Sequence, residues 1–103
     1  MSYSITWMPE AFKTFDDRIQ YLQIHWTEKE IRNFQLRVQE YLETLKDEPF
    51  IGHRAGRVKN VYIGLILKQV SLIYRIKPIK KEIELLIFID NRQDPRKIKK
   101  YKS

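Results

Sequence analysis

The spacing of hydrophobic positions changes twice along the chain. Tyr3, Ile5 and Trp7 alternate with Ser4 and Thr6, which predicts a short first strand. Phe12, Phe15, Ile19, Leu22 and Trp26 then recur at threes and fours, one stripe along a helix of about seventeen residues. Pro9 suits the first turn of that helix, where a missing N–H has no partner to lose. Thr27 breaks the stripe and Glu30 follows it, the spacing of a capping box. Ile31, Phe34, Val38, Tyr41 and Leu45 mark a second helix, with Leu42 widening its stripe. It should stop near Asp47, because Pro49 disfavours helical geometry at Glu48. So short a joint predicts two antiparallel helices packed as a hairpin.

Beyond Pro49 the period becomes that of strands. Phe50 to Gly56 is a loop with two glycines. Val58 to Leu67, Ser71 to Ile76 and Ile83 to Ile89 are rich in Val, Ile, Leu and Tyr. The turn around Pro78 and the short connections predict an antiparallel meander. In the last run Ile83, Leu85, Ile87 and Ile89 are expected on one face, with Leu86 and Phe88 on the other. A strand apolar on both faces belongs inside the sheet, under the helices. Asp94-Pro95 would cap and start a short helix in the tail. The expected fold class is therefore α+β, in the order β-α-α-β-β-β. A two-helix hairpin covers a four-stranded antiparallel sheet within one domain over residues 1–103.

The chain has 103 residues, enough for one core that buries roughly two-thirds of the unfolded surface. Zero cysteines exclude disulfides and thiolate metal sites, and fit a reducing cytoplasm. His25 and His53 do not form a zinc pattern. No apolar run is long enough for a membrane span, and no basic segment followed by an apolar stretch signals secretion. Nothing calls for a cofactor, a metal or a membrane.

Charge adds a direction to this picture. The net charge is +7, but residues 1–48 hold six Lys/Arg against nine Asp/Glu, whereas residues 49–103 hold fourteen against four. Segregation of this kind marks a face that meets something negative. The expected basic region joins the exposed sheet face, the loop over residues 50–57 and the tail. Alternation along Ser71–Ile76 puts Arg75 on the uncovered face, and Arg92 directly follows the interior strand, a good place to hold an anion. Arg96 and Lys97 extend the basic tail. Glu82 and Glu84 share a face and are expected to be an edge feature or an ion-pair partner of Lys80 or Lys81.

Catalytic signatures are few. Gly52-His53-Arg54-Ala55-Gly56 lacks the spacing of a phosphate loop, and there is no hydrolase triad. Metal-free RNA cleavage needs a base, a cation over the phosphate and an acid. An Arg or Lys could supply the cation, and His53 and Tyr101 are the candidate proton carriers.

Several motifs in order resemble the RelE/ParE superfamily of bacterial type II toxins, which includes plasmid stabilisation proteins. They are Ile5-Thr6-Trp7 before Pro9-Glu10-Ala11, then Ile19 and Tyr21 with Trp26, and Leu45 followed by Glu48-Pro49-Phe50-Ile51-Gly52. Leu72-Ile73-Tyr74-Arg75-Ile76 and Phe88-Ile89-Asp90-Asn91-Arg92-Gln93-Asp94-Pro95 complete the set. The resemblance implies that family's fold and a cognate acidic antitoxin whose C-terminal segment wraps the toxin, with oligomers formed through it. RelE-like members cut mRNA in the ribosome, whereas ParE-like members block DNA gyrase. Arg92 matches the RelE-like arginine after the last strand. Ser71, in Ser71-Leu72-Ile73-Tyr74, stands where RelE-like members carry an arginine. Ile98 stands at their tyrosine, with Tyr101 three residues on, and Arg57 and Lys59 stand in for their basic residues before the second strand. The first helix is closer to the ParE-like branch, which implies a growth-inhibiting toxin that binds gyrase without an active site. The alternatives are a RelE-like mRNA interferase and a non-toxic basic nucleic-acid-binding module.

Overall fold

The computed structural model describes residues 2–56, 58–92 and the backbone of 95–102, with the side chains of Arg96, Lys97, Lys99 and Lys100 in that last segment. The element order is β1 (Ser4–Trp7), α1 (Pro9–His25), α2 (Glu28–Asp47), β2 (His53–Arg54), β3 (Val61–Leu67), β4 (Val70–Lys77), β5 (Glu82–Asp90) and α3 (Pro95–Lys102).

The helix hairpin follows from its joint. Pro9 opens α1, and the Trp26 N–H donates to the Leu22 carbonyl to close it. The Thr27 hydroxyl accepts from the Glu30 N–H at 3.3 Å, and the Glu30 carboxylate accepts from the Thr27 N–H at 3.3 Å. This reciprocal cap starts α2 after a joint of only two residues, Trp26 and Thr27. The apolar stripes of both helices meet the sheet through a core in which Phe34, Leu45, Leu72, Tyr74, Ile76, Ile83 and Leu85 are fully buried. Trp7 stacks on Phe88 at 5.6 Å and meets Phe15 edge-on at 5.4 Å, so β1 is wedged into the same aromatic cluster.

The sheet is five-stranded and mixed, in the order β1-β5-β4-β3-β2, and not four-stranded and antiparallel as expected from sequence. The extra strand explains the direction of the first one. Segment 48–60 is long enough to carry the chain back along the sheet, and His53 and Arg54 pair antiparallel with Ile63 and Tyr62 on the way. After that return β3, and with it β5, runs parallel to β1, and Ser4–Trp7 pairs with Glu82–Leu85. Asn60 takes a left-handed φ of 63°, so β3 begins at Val61 and not at Val58. β5 is interior, as expected, between β1 and β4.

One irregularity changes which residues face the core. Tyr74 pairs with Leu85 and Ile73 with Ile87, which leaves Leu86 as an extra residue in β5. A bulge of this kind reverses the alternation beyond it. Ile83, Leu85 and Phe88 therefore face the helices, while Ile87 and Ile89 face away, so the expected single Ile83-Leu85-Ile87-Ile89 face does not form. Where β1 ends, α1 takes over its role. The Thr14 hydroxyl accepts the Phe88 N–H at 2.9 Å and donates to the Glu10 carbonyl at 2.7 Å.

The face away from the helices is also not bare. Ile73 is fully buried, and Val61, Ile89 and Ala55 are at most 2% exposed in a second apolar cluster. Ala55 precedes the turn into β3, and α3 packs beside β5. Among the described residues no helix is long and apolar enough to cross a membrane.

Candidate functional site

The turn after β5 is held by several polar contacts at once. Asp90, the last residue of β5, is 8% exposed. One carboxylate oxygen accepts from Arg18 Nη1 of α1 at 2.9 Å, and the other accepts the Arg92 N–H at 2.8 Å. Arg18 in turn lies 4.7 Å over the Tyr21 ring. Asn91 is fixed twice: its N–H donates to the Gln69 carbonyl at 2.7 Å, and its side-chain oxygen accepts from the Ser71 hydroxyl at 3.0 Å. The turn is thus tied to α1, to β4 and to the β3–β4 connection, while Arg92 itself is exposed. Arg96 and Lys97 are exposed on α3 just beyond it.

Arg75 lies in another neighbourhood. It points away from the helices, as expected, but its guanidinium meets Glu84 at 3.3 Å, and Lys77 meets the same carboxylate at 3.1 Å. Lys77 also approaches Glu82 at 3.9 Å. The two glutamates therefore pair across the β4–β5 ladder and not with Lys80 or Lys81, because register places Arg75 opposite Glu84 and Lys77 opposite Glu82. Arg75 aligns with Glu84, and Arg92 lies beyond Asp90; the strand from Glu84 to Asp90 spans about 20 Å. Among the described residues, Arg75 and Lys77 thus belong to a partly neutralised ladder at one end of the sheet, and Arg92, Arg96 and Lys97 to the turn and α3 at the other.

His53 is exposed on β2, and register sets it in one row with Ile63, Ile73 and Ile87. Lys59 is exposed in the turn before Asn60. Neither joins Arg92. Arg57 and the Tyr101 side chain lie outside the described residues, as does the Asp94 cap. Ser71, at the position of the RelE-like arginine, is only 3% exposed.

Tyr74 holds the segment that carries His53. Its hydroxyl donates to the Pro49 carbonyl at 3.1 Å and accepts the Gly52 N–H at 3.1 Å. Burial, reinforced by the adjacent Tyr41 hydroxyl, pushes the Tyr74 phenol far above its ordinary range, and burial raises Tyr41 as well. Both phenols stay neutral near pH 7, and Tyr74 acts as a clamp on this segment. Among the described residues no group of three carboxylate or imidazole side chains could hold a metal ion.

A groove of about 780 Å³ runs along the free side of β1, between that strand and α2. Ile5, Trp7, Phe12, Val38 and Leu42 give it an apolar floor, and Gln35, Gln39, Glu43 and Lys46 rim it. The Ser4 and Met8 N–H groups turn toward β5, while the Tyr3 N–H donates to the Lys46 carbonyl of α2. Strand alternation therefore turns the Ile5 and Trp7 amides outward over the groove. Phe12 borders the groove and is 61% exposed although it sits in the helical stripe.

Solved structures share this architecture. A chromosomal ParDE system from P. aeruginosa aligns with a TM-score of 0.67 at 20% identity, covering 86% of this chain and 96% of the other. The fold is that of the RelE and ParE toxins. A variant of the E. coli toxin RelE in the free state also reaches 0.67, at 13% identity, covering 98% of this chain and 94% of its own. RelBE2, a toxin–antitoxin complex from Mycobacterium tuberculosis, gives 0.62 at 14% identity over 87% of this chain and 99% of the other. No family model and no curated protein sequence matches the chain.

Proposed function

We propose that the chain is the toxin of a type II toxin–antitoxin pair and acts in the ParE-like manner, binding its target, DNA gyrase, without cleaving a substrate. One observation carries the choice between branches. Ser71 replaces the RelE-like arginine and is buried, its hydroxyl engaged by Asn91. A cation over a scissile phosphate is therefore missing at that position. Arg92, Arg96 and Lys97 form the surface that meets the target, and Arg75 adds to it only from the far end of the sheet. The antitoxin is an acidic chain whose extended part lies in the β1 groove, pairing with the Ile5 and Trp7 amides, and whose charge meets the basic half of the toxin.

The alternative is a RelE-like mRNA interferase, favoured by the rigid presentation of Arg92. Induced expression with and without the neighbouring small acidic gene product, followed by gyrase supercoiling and cell-free translation assays, separates the two. Arrest of growth with loss of supercoiling supports the first. Codon-periodic cleavage of translated messages with intact supercoiling replaces it by the second, and harmless expression with both assays unaffected rejects both.

A further inference from the structure

Arg92 is the exposed end of a longer assembly. Its backbone amide is held by a carboxylate that is itself nearly buried, and that carboxylate is shared with a cation on the opposite element. The Asp90 side chain accepts from the residue two positions on, closing the turn locally. It accepts from Arg18, seventy-two residues away, at the same time. Arg18 is only 14% exposed in its side chain, so it does not serve as a surface contact of its own. A buried ion pair is a poor investment in stability compared with apolar packing. Its geometry, with both oxygens engaged in different directions, is instead suited to fixing orientation.

We infer that Asp90 and Arg18 are positioning residues for Arg92, setting the direction from which its guanidinium meets a carboxylate or phosphate of the target. This rests on the proposal that Arg92 contacts the target. Ser71 and Asn91 brace the same turn from β4. A side chain presented from a braced backbone loses less freedom on binding, which is where such a pair exerts its effect.

The test uses the full chain with two readouts: the concentration needed for half-maximal inhibition of the target, and hydrogen exchange at the Arg92 amide. Asp90→Ala should raise that concentration about tenfold, as expected for loss of charged hydrogen bonds, and accelerate exchange at that amide. Asp90→Asn retains an acceptor for the Arg92 N–H and should recover most of the inhibition. Added to Arg92→Ala, Asp90→Ala should have no further effect, since the two act through one contact. Full inhibition by a folded Asp90→Ala protein, or losses from Asp90→Ala and Arg92→Ala that multiply, would overturn the inference. If Asp90→Ala does not fold, Arg18→Lys, which alters the other side of the ion pair, carries the same comparison with Arg92→Ala. Unchanged inhibition by Arg92→Ala instead overturns the assignment of Arg92 to the target surface, and the positioning role with it; protected exchange at residue 92 would then show that the turn is braced for another reason.

Discussion

The Tyr74 hydroxyl donates to the Pro49 carbonyl at 3.1 Å, so the middle strand of the sheet grips the chain at the point where it leaves the helix hairpin. Tyr74 is fully buried, and the same oxygen takes the Gly52 N–H. Tyr74→Phe leaves both backbone groups without this partner and should cost about 1–3 kcal/mol, read from urea denaturation. His53 and Arg54 should lose amide protection first, because their strand is only two residues long.

The same phenol sets an alkaline limit. Its proton is held more tightly folded than unfolded, since burial raises it above the ordinary value of 10.0. A raised folded value means that stability is complete below the unfolded value and declines as pH climbs above it. Unfolding free energy should therefore fall from about pH 10 upward, and Tyr74→Phe should flatten that decline. A slope unchanged by the substitution would contradict the assignment.

Gly52 is required for space. A Cβ there would lie 2.7 Å from the Ile63 carbonyl oxygen, a backbone atom that cannot swing aside. Gly52→Ala should destabilise by about 1–3 kcal/mol, the usual cost of overpacking. Gly64→Ala should do the same by pressing on the ring of Tyr41. Thermal melting of the two variants checks both.

Glu84 sits between two cations, so its removal and that of Arg75 are unequal. Arg75→Ala leaves the Lys77 contact at 3.1 Å and should cost less than about 1 kcal/mol. Glu84→Ala leaves Arg75 and Lys77 facing each other and should cost about twice as much. Denaturant titration of the two single variants measures the difference.

The β1 groove can be closed without disturbing the core, because Gln39 is exposed on its rim. Gln39→Trp should leave melting and growth arrest unchanged and weaken neutralisation by the antitoxin about tenfold or more, through steric exclusion of the segment that lies there. Co-expression rescue and pull-down of the pair read this directly. Rescue at wild-type level would remove the groove from the antitoxin interface.

The helical half was legible because its signals are local. Thr27 and Glu30 are three residues apart, and the apolar stripes repeat within a turn. The sheet was legible in its meander but not in its details. The direction of β1 depends on a return path through two residues, His53 and Arg54, that carry no strand pattern. The bulge at Leu86 leaves no mark in composition, so simple alternation put Ile87 and Ile89 on the wrong side. Arg75 was placed on the right face, but its pairing with Glu84 comes from ladder register, which sequence does not state. The bracing of Arg92 joins positions 18 and 90, and no spacing rule connects them.

The surplus residue at Leu86 decides more than packing. Were β5 to run on as a regular strand with all its residues kept, every side chain from Ile87 onward would sit on the other side of the sheet, and isoleucines now sheltered on one surface would trade places with Phe88. Asp90 would face away from Arg18, and the cationic corner would open toward the opposite hemisphere. A single irregularity therefore sets the outlook of the whole far end of this strand.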